Sequence, residues 1–331
     1  MFSGPAESFP RLVGDIGGTN ARFGLITAAG EPISLIKGLA CADFPSPLEA
    51  IRHYLGQQGN IQPRQAAIGI ANPVSGDYLR MTNFAWEFSI QALRDALGLD
   101  ELLFINDFTA LALSLPHLDA TERCQVGAGT GIAGSAIGVI GPGTGLGVSG
   151  LIPTSNGYAP LGGEGGHVSL SPHTDEELAL TALLYREYGH ASAERVLSGP
   201  GLITLYQSLA TLRGENAQAL DSAAITHAAL TGNDTLCVDS LATFCALLGS
   251  TAGNLALTLG ARSGVYIGGG IVPRLGDWFH QSAFRTRFEA KGRFAGYLAQ
   301  IPTYVITAST PALTGAAAAL QQTCVASARH T

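Results

Sequence analysis

Short apolar runs open the chain: residues 12–16 and 21–26 each read as a strand, and Gly17-Gly18-Thr19-Asn20 between them is a turn signal. The pattern predicts a β-hairpin with a glycine-rich tip. Residues 66–71 form a third apolar run, and Pro73, Gly76 and Asp77 mark the loop after it. Ser89 is placed to cap a helix whose Ile90, Leu93, Ala96 and Leu97 share one face, and Gly98 stands where that helix should stop. Residues 102–105 then read as a strand ending at Asn106-Asp107, and 108–114 as a short helix stopped by Pro116. A strand thus delivers Asp107 to its carboxyl end.

The opening theme recurs at residues 136–140, Gly141-Pro142-Gly143-Thr144-Gly145 and 146–152. Gly18-Thr19 and Gly143-Thr144 read as equivalent dipeptides 125 residues apart, and the repeat implies an internal duplication into two similar α/β halves facing one another. Helical apolar spacing follows at 176–188, 201–212 and 237–259, before a strand at 265–267. Strands alternating with helices make the chain α/β.

A length of 331 residues favours two domains. The net charge of −7, with only 13% charged residues, leaves no basic surface for a polyphosphate backbone, so no nucleic-acid partner is expected. Glycine is 43 of 331 residues, well above the usual ~7%, yet the chain is 46% hydrophobic and has no three-residue glycine period, which excludes collagen and disorder. The five cysteines, Cys41, Cys124, Cys237, Cys245 and Cys324, are scattered with no C-x-x-C pair, and a reducing cytoplasm fits them. Residues 1–10 carry no basic or apolar region of a secretory signal. The uncharged stretch between Arg123 and Glu164 is broken throughout by glycine and reads as buried strands and tight turns; no membrane role is expected.

Glycine-rich hairpin tips expose successive backbone N–H groups, which bind phosphate oxygens. Asp15, just before the first tip, would repel a bare anion, so its presence points to Mg²⁺-phosphate. The P-loop pattern is absent, since no lysine lies near either tip, and Gly145-x-Gly147-x-x-Gly150 leads into no helix and reads as an accidental dinucleotide match. Gly268-Gly269-Gly270 follows a strand, where bare backbone could take a flat base or simply make a tight turn. Glu164 and His167 sit in a flexible glycine loop with nothing nearby to bury them; a carboxylate and an imidazole together suit a polyol ring, and no cysteine or second histidine stands at metal-ligand spacing. Glu194 reads by itself as a solvated helix residue.

Taken together, Asp15-Ile16-Gly17-Gly18-Thr19-Asn20-Ala21-Arg22, Ile105-Asn106-Asp107, Gly141-Pro142-Gly143-Thr144-Gly145-Leu146-Gly147, Gly163-Glu164-Gly165-Gly166-His167, Ser198-Gly199-Pro200-Gly201 and Gly268-Gly269-Gly270-Ile271-Val272-Pro273-Arg274 resemble the bacterial glucokinase family, in family order. The likeness runs from about Val13 to Ala316 and includes Phe288-Glu289-Ala290-Lys291-Gly292-Arg293-Phe294. It implies the fold of hexokinase, actin and Hsp70: two ribonuclease H-like α/β domains with ATP and sugar in the cleft between them. The expected division is a small domain at 1–115, joined by a C-terminal helix at 316–331, and a large one at 116–315. The resemblance makes Gly17, Gly18, Thr19, Asn20, Gly143 and Thr144 phosphate clamps and Gly268 and Gly269 part of the adenosine site, with Asp15 holding Mg²⁺ through water. Asn106, Asp107, Glu164, His167 and Glu194 match the sugar-contacting positions, Asp107 also the catalytic base.

Related repressor and open-reading-frame kinases bind zinc through cysteines soon after the Gly-His pair. Here Cys237 is the next cysteine after His167, so no zinc is expected, and only about ten residues precede the first motif, too few for DNA-binding helices. The expected reaction is ATP-dependent phosphorylation of the glucose 6-hydroxyl, in the cytoplasm, by a homodimer. The alternatives are a kinase for mannose or fructose, in which one epimeric hydroxyl shifts specificity, and an actin-like ATPase without a sugar.

Overall fold

Strand β1 (Arg11–Ile16) turns back through the glycine tip into β2 (Asn20–Ile26), and β3 (Ser34–Ala40) extends the antiparallel ribbon. On the other side of β1 lie β4 (Gln65–Ile70) and β7 (Glu101–Asn106), both parallel, giving the order β3-β2-β1-β4-β7. Parallel neighbours need crossovers. These are supplied by α1 (Pro47–Gln57), capped by Ser46, and by a ribbon of β5 (Tyr78–Arg80) and β6 (Glu87–Ser89) leading into α2 (Ile90–Leu97). The α2 boundaries follow the sequence signals: Ser89 accepts the Ala92 N–H and Gly98 closes the helix in the left-handed region at φ 68°. α3 (Asp107–Ser114) follows β7 directly.

The computed structural model describes residues 8–82, 84–155 and 157–328, and the chain forms two compact units: Met1–Leu118 with Ala308–Thr331, and Asp119–Thr307. In the second unit β9 (Ile137–Pro142) pairs antiparallel with β10 (Leu146–Thr154), which pairs with β11 (Gly157–Leu161); β12 (Gly264–Ile267) and β13 (Thr303–Ile306) lie parallel on the other side of β9, and β8 (Arg123–Val126) closes the edge beyond β13. Counting from β9, the first five strands repeat the first unit's order of third, second, first, fourth, fifth. The duplication read from the glycine tips is therefore a duplication of sheet topology.

Between β11 and β12 run α4 (Asp175–Tyr188), α5 (Gly199–Arg213), α6 (Ser222–Thr231) and α7 (Thr235–Leu259). α7 is long and apolar enough to cross a membrane, but 78% of its most apolar window is buried inside the unit. Its Gly249 and Gly253 admit α9 (Phe284–Glu289), which follows α8 (Asp277–Gln281): a Cβ on either glycine would press on the carbonyl of Phe284 or Phe288. After α10 (Ala295–Ala299) and β13 the chain returns to the first unit as α11 (Pro311–Ala328); of the helix expected over 316–331, residues 329–331 lie outside the described residues.

Alternation across the first sheet sorts its core into two layers. Leu12, Ile16, Ile68 and Ile70 pack on one side with Ile51, Tyr54 and Trp86, whereas Val13 and Ala67 face α11 through Leu313, Ala316 and Leu320. With both faces covered, β4 is buried at every position.

Candidate active site

The first tip is held from behind by Cys41. Its N–H donates to Thr19 O (2.9 Å) and its thiol to Gly17 O (3.5 Å), while Gly17 N–H closes the turn onto Asn20 O (2.9 Å). In a trans peptide the N–H points opposite the preceding carbonyl, so the Gly18 and Asn20 amides face away from Cys41 and are available to an anion. The second tip is one residue tighter: β9 and β10 pair up to Pro142 and Leu146, whereas β1 and β2 pair up to Ile16 and Ala21. Gly143 N–H therefore reaches Gly145 O (2.8 Å). The missing residue is on the first-strand side: counted back from Ala21 and from Leu146, Gly18-Thr19 and Gly143-Thr144 stand at the same two positions before the second strand of each hairpin.

Asn106 ends β7 and caps α3, its Oδ1 accepting the N–H groups of Phe108 (3.0 Å) and Thr109 (3.2 Å). Asp107 is accordingly the first helical residue, one position earlier than the periodicity predicts, and its Oδ1 accepts Phe108 N–H at 2.9 Å. Burial pushes the Asp107 carboxyl up to about 6; the Phe108 N–H opposes that rise and the Asp15 charge adds to it. Asp15 is itself raised by burial, an effect that Arg22, 3.8 Å away, partly offsets. Gly69 makes this pairing of carboxylates possible: it sits beside Asp15 across the β1–β4 register, and a Cβ there would meet Ala110 Cβ at 3.2 Å and Asp107 Cα at 3.9 Å. Sequence reading missed Gly69, although glycine inside a buried strand signals close approach of another backbone.

Two neighbouring carboxylates that both hold their protons too tightly, with one arginine to balance them, suit a hard cation. Among the described residues no group of three or more His, Cys, Asp or Glu is placed to hold a metal. Asp15 and Asp107 by themselves could offer carboxylate oxygens to such a cation but not its full coordination shell.

In the second unit, Gly269 adopts φ 77° and a Cβ there would strike the Pro142 carbonyl, while Gly268 N–H donates to Ile140 O (2.9 Å). The glycine turn after β12 is thereby laid against the second tip. Gly143 O accepts Gly199 N–H (2.8 Å) at the Ser198-capped start of α5, so this helix anchors the tip with its positive end. Sequence reading left that role of Ser198-Gly199-Pro200-Gly201 unassigned.

Glu164 precedes, and His167 ends, a 3₁₀ turn, Gly165–His167, packed on β10: a Cβ on Gly165 would meet Val148 at 2.8 Å, and one on Gly166 would overlap Leu146 O. The loop expected to be flexible is instead a fitted turn whose glycines serve close packing. Val168–Leu170 is laced to Ala191–Ala193 by Leu170 N–H to Ala191 O (2.8 Å), Ala193 N–H to Val168 O (2.9 Å) and the Ser169–Ser192 bridge. This lacing brings Glu194 beside His167, with Oε1 3.9 Å from Nδ1, while Glu194 Oε2 accepts Leu146 N–H at 2.8 Å. Glu194 is thus fixed in place, unlike the solvated helix residue its local sequence suggests, and it sets a carboxylate beside the His167 imidazole, with Glu164 at the start of the same turn.

A family model described as Glucokinase matches residues 12–323. The glucokinase of Aromatoleum aromaticum is 56% identical over 97% of both chains. The chain belongs to the glucokinase family. The glucokinase of Chromobacterium violaceum is 53% identical over 97% of this chain and 92% of its own. A solved glucokinase from an Antarctic psychrotroph, 41% identical, superposes with a TM-score of 0.88 over 95% of this chain and 99% of its own. Glucokinase-family membership therefore accounts for the α/β halves and their repeated sheet order.

Proposed function

We propose that the protein transfers the γ-phosphoryl group of ATP to the 6-hydroxyl of D-glucose. The observation that carries the mechanism is Asp107: a carboxylate at the start of α3, one oxygen committed to the Phe108 amide, raised to about 6. Near neutral pH it is still ionised yet more basic than an ordinary aspartate, which favours a general base. The 6-hydroxyl gives its proton to the Asp107 Oδ2, its oxygen bonds to the γ-phosphorus, and the bond to the β,γ-bridging oxygen breaks to release ADP. Asp15 would help to hold a magnesium ion brought in on the nucleotide, and that ion would supply neutralisation of the phosphate charge. The Gly18 and Asn20 amides and the Gly143-Thr144 tip clamp phosphate, Gly268 and Gly269 pass close to the adenosine, and Asn106, Glu164, His167 and Glu194 hold the sugar hydroxyls.

Family membership and the set of hydroxyl-binding side chains favour a sugar kinase over an actin-like ATPase, which has no use for Glu164 and His167. Mannose and fructose remain the competing sugars. A coupled ADP-release assay over a panel of hexoses tests the proposal: glucose should give the highest kcat/KM, and ADP release indifferent to sugar would refute it. Light scattering tests the homodimer that belongs to the same reading.

A further inference from the structure

The Phe288–Phe294 motif holds none of the groups assigned to substrate, yet Arg287 just before it and Lys291 within it reach toward the segment that follows the sugar turn. Where α9 settles on Gly249 and Gly253, Arg287 crosses to α4 and grips Glu177 with two bonds (2.6 and 2.8 Å). Glu177 in turn accepts the N–H of His173 (2.6 Å). One turn later, the Lys291 stem lies over Gly253 and its ammonium donates to Ser250 O (3.0 Å) and Asn254 Oδ1 (2.7 Å). Asn254 passes the contact on, its Nδ2 donating to Ser171 Oγ at 3.1 Å.

The polarity of this relay is fixed. An ammonium can only donate, so Asn254 must turn its oxygen to Lys291 and its NH₂ to Ser171. Ser171 and His173 lie just beyond Leu170, where the lacing to Ala191–Ala193 ends. That lacing starts at Val168, next to His167, and brings in Glu194. Both bonds of Lys291 go to neutral oxygens, and burial together with Arg287 lowers its pKa. Holding a cation there costs desolvation that a purely apolar contact would not.

We infer that Lys291 is a positioning residue for the sugar, setting through Asn254 and Ser171 the register of the laced loop that presents His167 and Glu194. The inference rests on the glucokinase reading above. The bonds given for Lys291, Asn254 and Ser171 run along α7 and to the laced loop, and none goes to Gly18, Asn20, Gly143 or Thr144, so their loss should be felt by glucose more than by ATP.

The test uses the full chain with the variants Lys291→Met, Ser171→Ala and the double variant. The wild type is assayed first: if it shows no glucose-dependent ADP release, the proposed function fails, whatever the variants do. Given that activity, Lys291→Met and Ser171→Ala should each raise the KM for glucose roughly three- to tenfold, leave the KM for ATP within about twofold, and combine non-additively. A merely structural role would lower the melting temperature and the active fraction while leaving the glucose KM as it was. Unchanged glucose KM, equal changes in both KM values, or additive effects would each overturn the inference. Ser171→Ala, a one-atom deletion in a loop, keeps the test open if Lys291→Met does not fold.

Discussion

Gly315 of α11 lies directly on the carbonyl of Ala110 in α3, so closely that a Cβ on Gly315 would overlap that oxygen. The contact seats α11 against the helix whose first residue is Asp107. Backbone cannot swing aside as a side-chain tip can, so Gly315→Ala should cost at least about 3 kcal/mol, the upper range for overpacking. Gly296→Ala in α10, where a Cβ meets nothing within 4 Å, should be neutral or slightly stabilising. Urea unfolding of both variants checks the contrast.

Asp107→Asn should lower kcat by roughly 10² or more, because the hydroxyl proton then has no acceptor, while glucose affinity stays within about tenfold. Binding by calorimetry and turnover by ADP release separate the two effects, and near-normal turnover would remove Asp107 from its role as base.

The raised Asp107 pKa sets two pH dependences of opposite use. Glucose kcat/KM in the wild type should fall as pH drops through about 6, where Asp107 takes up its proton. Stability runs the other way: the folded state binds this proton more tightly than the unfolded chain, whose value is near 3.8, so Asp107 subtracts stability as pH rises from about 4 to 6. Asp107→Asn should therefore be more stable than wild type at pH 8, by on the order of 1–3 kcal/mol, and lose that advantage below pH 4. Thermal melts at both pH values check the sign.

If, as proposed, the cation is brought in on the nucleotide, EDTA should abolish turnover and Mg²⁺ restore it, while circular dichroism and melting temperature stay unchanged. Unfolding on chelation would show a structural metal instead.

Most of the first unit was legible because its strands alternate or run apolar, and its caps, Ser89 and Gly98 among them, are local signals. Glycine positions were legible too, but not their purposes. Gly69, Gly165, Gly166 and Gly269 are each fixed by backbone or side chains far along the chain or on another strand, information that no local pattern contains. Glu194 was misread by its neighbours for the same reason: its partner is the Leu146 amide, 48 residues earlier. Only the joint order of motifs, through family resemblance, marked it as functional.

The two glycines of the second tip should fail in different ways. A Cβ on Gly145 would stand 2.6 Å from Glu194 Oε2, the atom that accepts Leu146 N–H. A carboxylate tip can move, so Gly145→Ala should fold almost as well as wild type, but Glu194 would leave its place and the glucose KM should rise roughly tenfold, the scale of one charged hydrogen bond. Apart from its chain neighbours, no described residue lies within 4 Å of a Cβ on Gly143, and its φ is outside the left-handed region. In Gly143→Ala the added methyl therefore meets only what comes to the tip, so ATP should bind more weakly while glucose binding and melting temperature hold. Measured KM values for both substrates in both variants decide this, and a Gly143→Ala enzyme with unaltered ATP KM would take the second tip out of the phosphate clamp.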